Sequence, residues 1–288
     1  MSFSRSTTNN DNLIKVSWLC AIYKKTKFKE FKLAINSIIC QKGNYNQEII
    51  IVQDGNLNRE FKNLRSFLKT KNKLIPINYL KLNNNKGLGI ALSEGCKRCK
   101  GDFIARFDTD DINCEDRLIK QIPILEKNLS IAVVGSWVGE FHSSNDLFLE
   151  LMLKKAPPMH LIKRRMNLFN PINHPSAVIR KEAISKSGYT DMPSYEDYYL
   201  WLKLRKNGWG FENIQEITVF MQVDNFFEKR WGLKYAVNEL NFLIKITKEN
   251  LINKFLIPIF LLRIFSRILI SRKFQKFLRS FKNKTIHK

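Results

Sequence analysis

Residues 102–111 read DFIARFDTDD, and this stretch decides the fold. Asp102 to Phe107 predicts a strand, and the strand runs straight into Asp108-Thr109-Asp110-Asp111. In open α/β sheets, ligands sit beyond the carboxyl ends of the strands. A carboxylate cluster at that place asks for a partner. Neighbouring carboxylates repel one another and hold their protons more tightly unless a cation lies among them. Oxygen ligands of this kind suit Mg²⁺ or Mn²⁺, which also coordinate phosphate oxygens. An Asp after a strand can equally be a turn residue or a helix cap. A cap needs one acid, and here there are three in four residues. A bare Asp-x-Asp is nonetheless a pattern of low specificity.

Working outward, the chain alternates strands with amphipathic helices. Upstream, Lys15 to Ile22 (KVSWLCAI) predicts a first buried strand. Phe28 to Gln41 predicts a helix, with Phe31, Ala34, Ile35 and Ile38 at helical spacing. Glu48 to Val52 (EIIIV) predicts a second strand, stopped by Asp54-Gly55. A helix over 58–71 and a strand over 77–82 follow. The turn cluster Asn83 to Gly87 then leads into a helix reaching Cys99. Downstream, 116–128 predicts a helix that Pro123 should kink. Further on come a strand over 131–137, a basic helix over 157–169, a short strand over 175–179, a helix over 195–206 and a strand over 216–223. This order implies a Rossmann-like α/β fold, with a mostly parallel sheet flanked by helices. On such a sheet Asp54, Asp108, Asp110 and Asp111 would converge on one rim.

Composition sets the boundaries. With 288 residues, 44% of them hydrophobic and 12% aromatic, the chain can bury a large core. The formal net charge of +23 points to an anionic partner. The charge is uneven: Phe226 to Lys288 holds 15 Lys or Arg against 3 acids, more than half of the excess. The expected organisation is a loose polar segment 1–12, an α/β unit 13–225 and a basic amphipathic helical extension 226–288. The cysteines number five, an odd count, and no secretory leader is visible, so a reducing cytoplasm is expected. Cys96 and Cys99 lack a second pair at zinc spacing and read as helix packing.

In the extension, Leu261, Ile264, Phe265 and Ile268 fall at helical spacing, as do Phe274, Phe277, Leu278 and Phe281. Arg263, Arg267, Arg272, Lys273, Lys276 and Arg279 interleave with them, and no acid occurs over 250–288. A helix of this composition lies in the headgroup plane of a membrane. The expected partner of 250–288 is therefore an anionic membrane surface, with the alternative that the helix covers the core. The longest charge-free run there, Phe255 to Leu262, falls far short of the ~20 residues a spanning helix needs.

Three further places could carry chemistry. Glu196 and Asp197 open a helix, where dipole compensation alone explains two acids. Either could instead be a general base. His174, beside Pro175, reads as a structural residue or as a donor to an anionic oxygen. Lys86-Gly87-Leu88-Gly89 resembles a phosphate-binding turn at a helix start, without the Lys-Ser/Thr pair of a P-loop.

Together, VSWLCAIYKK, EIIIVQDG, NKGLGIALSEG, GDFIARFDTDD, VVGSW, HPSAVIRK and YEDYYLWLKL resemble the family 2 glycosyltransferases of GT-A fold. The branch they are most similar to builds bacterial exopolysaccharide and O-antigen, of the amylovoran type. The likeness runs from about Val16 to Trp201, with an echo at Gly232 to Tyr235.

It implies a nucleotide-sugar half over 13–111 and an acceptor half over 112–225. Asp54 would bind the uracil, and backbone from Ala21 to Tyr23 would line the nucleotide. Asp108 and Asp110 would hold Mn²⁺ or Mg²⁺, and Asp197 would be the base, with Glu196 as its competitor. Lys86, Arg106 and His174 would line the substrates. The implied reaction is a single inverting displacement from a UDP-sugar onto a hydroxyl of a lipid-linked glycan, at the inner face of the cell membrane. Gln53 departs from the family's usual acid, Trp18 and Cys20 replace smaller strand residues, and Ser93 replaces a usual Asn. The Gln-x-x-Arg-Trp motif of processive synthases is missing, so one sugar per encounter is expected. A metal-dependent nucleotidyltransferase and a non-catalytic basic nucleic-acid- or membrane-binding protein are the alternatives. The acidic rim opposes a nucleic-acid groove, and no nucleic-acid partner is expected.

Overall fold

The computed structural model describes residues 13–142, 151–224 and 231–269. The first half is built as the apolar pattern requires. Strand β1 (Lys15–Ile22) lies between β2 (Asn46–Asp54) and β4 (Phe103–Arg106), with β3 (Ile77–Leu82) outside β2, all parallel. Alternate residues serve opposite faces, as a strand's period of two demands. Trp18, Cys20 and Ile22 pack with Phe31 and Ile35 of α1 (Phe28–Ile39). Leu19, Ile50 and Val52 pack on the other side with Ala91 and Leu92 of α3 (Leu88–Cys96). The stretch expected as one helix over 58–71 is a short 3₁₀ turn followed by α2 (Leu64–Lys71). Within α4 (Arg117–Lys127) Pro123 is accommodated.

The second half is mixed. Beyond β4 the sheet continues through β8 (Val178–Arg180), antiparallel to both β4 and β6 (Ile131–Phe141). Next come β9 (Gly210–Gln222), parallel to β6, and β5 (Ile112–Asn113), antiparallel to β9. A short β7 (Met152–Lys154) pairs with β6. The basic helix expected over 157–169 is only α5 (Met159–Arg165), because Pro157 and Pro158 hold the chain extended before it. Helix α6 (Lys181–Ser187) was not expected from the apolar spacing; α7 (Glu196–Lys206) was.

Helices α8 (Leu233–Lys248) and α9 (Ile257–Leu269) belong to the core. Phe242 stacks on Tyr195 at 4.5 Å between ring centres, and Phe260 and Ile264 are buried beside them. The stripe expected as one face is thereby split: Ile264 points inward, while Leu261, Phe265 and Ile268 are exposed. Arg263 and Arg267 also turn inward. Both guanidiniums pair with Glu239 of α8, which is wholly buried. A buried carboxylate needs such partners, because desolvating an unpaired charge costs several kcal/mol. The exposed surface of α9 is apolar, with Ile259, Leu262, Phe265 and Leu269, and Phe255 just before it, whereas α8 exposes Leu233, Val237, Leu240 and Ile244 beside Lys234, Asn241, Lys245 and Lys248. No described helix is long and apolar enough to cross a membrane. The stripe 274–281, its basic residues Arg272, Lys273, Lys276 and Arg279, and the segment 1–12 lie outside the described residues.

Candidate active site

Parallel strand ends gather one rim. A cavity of about 510 Å³ is lined by Ala21 at the end of β1 and Tyr23 just after it, Asp54 from β2, Asp108 to Asp111 after β4, and Gln222 and Asp224 at the end of β9. Thr26 Oγ accepts the Tyr23 N–H at 3.0 Å and fixes that corner.

Asp54 is nearly buried and clamps the turn before α3. Its carboxylate accepts the backbone N–H of Lys86 at 2.6 Å, that of Gly87 at 2.9 Å and the Asn85 amide at 3.0 Å. Gly55 makes this approach possible: its φ is +77°, and a Cβ there would lie 2.7 Å from the Asn85 nitrogen. The expected phosphate-binding turn is corrected by this contact. The N–H groups of Lys86 and Gly87 are taken by Asp54, and the Lys86 side chain is exposed and lines neither this cavity nor its neighbour.

The acids after β4 differ among themselves. Asp108 pairs with Arg106, whose fully buried guanidinium also donates to the Leu19 carbonyl at 3.4 Å. Asp110 opens to the cavity mouth, yet the surrounding walls, and then the Asp108 charge, push its carboxyl from 3.8 up to about 6. Asp111 is buried, and burial first, then Asp110, raises its carboxyl well above the usual range. One Asp111 oxygen accepts the Gln222 N–H at 3.0 Å, and the other has no partner among the described residues.

These are the conditions a cation relieves, since positive charge nearby favours ionised carboxylates. No cluster of three or more ligand-type side chains occurs among the described residues. Mg²⁺-like sites use one or two carboxylates and complete their shell with water and substrate phosphates. Asp108 and Asp110 fit such a site.

A second cavity, about 630 Å³, adjoins the first, and Leu88, Asp108 and Met221 line both. Into it open Glu196 and Asp197, at the start of α7. The Asp197 carboxylate accepts the Asn170 amide at 2.6 Å and the Tyr198 N–H at 2.7 Å. Burial and then Asp197 push the Glu196 carboxyl from 4.5 up to about 7. Gly89 lets α3 pack here: a Cβ would meet the Thr190 carbonyl at 2.1 Å and the Glu196 Cβ at 3.3 Å. His174 also lines this cavity, but its Nε2 is held by the Tyr189 hydroxyl at 2.8 Å. Burial, then the Arg106 charge, lowers its pKa well below the ordinary value, so it is neutral at pH 7.

The sequence profile described as "Glycosyl transferase family 2" matches residues 18–188, more than half of the chain. The chain belongs to glycosyl transferase family 2. This family 2 glycosyltransferase is 34% identical over 265 residues to the UDP-Gal:alpha-D-GlcNAc-diphosphoundecaprenol beta-1,3-galactosyltransferase of Escherichia coli, covering 90% of this chain and 94% of that one. It is 30% identical over 226 residues to the amylovoran biosynthesis glycosyltransferase AmsE of Erwinia amylovora, covering 78% of this chain and 82% of that one. Its fold resembles the mannosyltransferase PcManGT of Pyrobaculum calidifontis, solved with GDP-Man and Mn²⁺. That likeness has a TM-score of 0.60 at 12% identity, over 82% of this chain and 64% of the other. The mixed α/β sheet is thus of GT-A type.

The structure adds residues that the sequence reading of this glycosyltransferase did not single out. Glu30 and Asp224 enter the first cavity from distant elements, tied together by the Gln222 amide at 3.1 and 2.9 Å. Asn170 reaches Asp197 from a loop without periodicity. Arg165, Arg263 and Arg267 line the second cavity. Only the charge of these three was visible in sequence, not their direction.

Proposed function

We propose that this glycosyltransferase moves a hexose or N-acetylhexosamine from a UDP-sugar to a hydroxyl of a lipid-linked glycan, with inversion and one sugar per encounter. The observation that carries the reading is the shared wall. Asp108 borders both cavities, so a donor in the first and an acceptor in the second would meet there. The E. coli relative is named for a UDP-sugar donor and a diphosphoundecaprenol-linked acceptor, and the similarity covers nearly the whole of both chains.

In this reading Tyr23 and the backbone at Ala21 border the nucleotide. Asp54 faces the base while clamping the 85–87 turn. A carboxylate offers about four lone-pair sites, and the turn uses three N–H donors. Arg106 fixes Asp108 from behind. A divalent cation on Asp108 and Asp110 would supply positive charge to the departing diphosphate. Asp197 takes the proton of the acceptor hydroxyl as it attacks, with its carboxylate aimed by Asn170 and the Tyr198 N–H. Glu196, with its carboxyl near 7, is the competing base. His174 acts through shape and not charge.

The exposed apolar residues of α8 and α9 support a peripheral seat on a membrane, and the acid-free segment 250–288 supports anionic lipid as its ligand. On this reading the enzyme works at the inner face of the cell membrane. The test is a donor screen with purified protein, scoring nucleotide release with Mn²⁺ or Mg²⁺. Release from a UDP-sugar, abolished by chelator, is expected. Chelator-resistant release, or release of pyrophosphate, would contradict the reading.

A further inference from the structure

The second cavity is bipolar. Asp108, Glu196 and Asp197 line it, and so do Lys154, Arg165, Arg263 and Arg267. The two sets are neighbours. Asn170 bonds Asp197, while Arg165 and Arg263 both lie over the ring of the preceding residue, Phe169, at 5.8 and 5.7 Å from its centre.

The basic wall is built. Glu239 takes an Nε–H from both Arg263 and Arg267 while wholly buried, and the Leu168 carbonyl takes an Nη–H of Arg263. Arg267 also stacks on Tyr235 at 4.6 Å. A guanidinium has five N–H donors, so anchoring Arg263 at Nε and at one Nη fixes its fork without exhausting it. Three guanidiniums thus line one cavity, two of them braced by a single buried carboxylate.

A neutral sugar does not call for three guanidiniums. A phosphate does, because planar guanidinium forks match its oxygens in charge and geometry. The donor's diphosphate belongs in the other cavity, where the wall is acidic and suited to a cation. We infer that Arg165, Arg263 and Arg267 bind the diphosphate of a lipid-diphosphate acceptor, and so present its sugar hydroxyl to Asp197. This rests on the acceptor class proposed above. A diphosphate diester carries one negative charge per phosphate, which guanidiniums meet in both charge and geometry. Leu262, Phe265 and Leu269 of α9 are exposed, and a lipid tail would follow such apolar residues to the bilayer.

The experiment titrates the full chain, saturated with UDP and Mn²⁺, with farnesyl diphosphate and separately with farnesol. Saturation keeps the probe out of the donor cavity. The diphosphate should bind, and farnesol should bind at least about tenfold more weakly. Arg263→Gln should weaken the diphosphate by about tenfold or more and farnesol much less. Arg165→Gln, at an exposed position whose loss leaves Glu239 paired, should do the same and guards against a folding defect. No binding of farnesyl diphosphate, equal binding of farnesol, or equal loss of both probes in the variants would overturn the inference. Loss of UDP affinity without loss of the diphosphate probe would also overturn it, by assigning the arginines to the donor. If UDP itself fails to bind while the probe binds through these arginines, the donor reading fails and the wall stands.

Discussion

The two cavities that meet at Asp108 have opposite walls. One is lined by Glu30, Asp108, Asp110, Asp111 and Asp224, with Lys25 and Lys27 beside them; the other includes Arg165, Arg263 and Arg267. On the reading proposed here, both receive a diphosphate. Where carboxylates outnumber lysines, a cation must offset them, so the grip is conditional and the cation's charge is available to a leaving group. A guanidinium wall grips directly, so it suits a phosphate that is a handle and must not react. The difference teaches that the sign of a wall follows the fate of the phosphate.

The comparison can be broken first on the acidic side. Asp110→Ala should lower UDP-sugar turnover by about 10³-fold, read as nucleotide release at saturating Mn²⁺. Wild-type turnover in the presence of chelator would remove the cation from the account. At the junction, Asp197→Asn should cost at least about 10²-fold in kcat with little change in UDP affinity. Turnover at the wild-type rate would hand the base role to Glu196. Gly89→Ala should destabilise the fold by about 1–3 kcal/mol, because the added methyl meets the Thr190 carbonyl. Urea unfolding checks it, and an unchanged midpoint would loosen the link between α3 and the start of α7.

The smallest expected effect is pH-linked. Asp110 and Glu196 hold their protons up to about 6 and 7, against 3.8 and 4.5 ordinarily. Between about pH 4 and 7 the folded chain therefore binds more protons than the unfolded one, and stability falls as pH rises. Without divalent cation, Tm should drop across that window, and Mn²⁺ with UDP should restore more of it at pH 7 than at pH 5. A flat profile would mean that these acids are not confined as described.

Much of this was legible in the sequence because burial leaves a period. β1, β3 and α7 fall within a residue of their expected bounds, and the aspartates stand at strand ends as a parallel sheet requires. What was not legible depends on direction. In sequence the arginines of 257–269 read as the basic face of a helix lying on an anionic membrane surface. They turn inward because Glu239, 24 and 28 residues before them, is buried and must be paired. A lone Glu in an amphipathic helix carries no mark of that. Likewise Lys86 stood where a phosphate turn would place it, but Asp54 claims the N–H groups by a contact 32 residues away in sequence. Asn170, in a loop, had no pattern to betray it. This pairing also bears on dissection of the C-terminal region. Cutting near Asn250 would strand a buried Glu239, so a membrane test should remove only residues after Leu269.

The most direct measurement is an anomalous-scattering map from crystals grown with UDP and Mn²⁺. The account expects one manganese peak beside Asp108 and Asp110, with the diphosphate on it and the uracil toward Tyr23 and Asp54. UDP bound elsewhere, or bound in that cavity with no manganese between its phosphates and the aspartates, would contradict it.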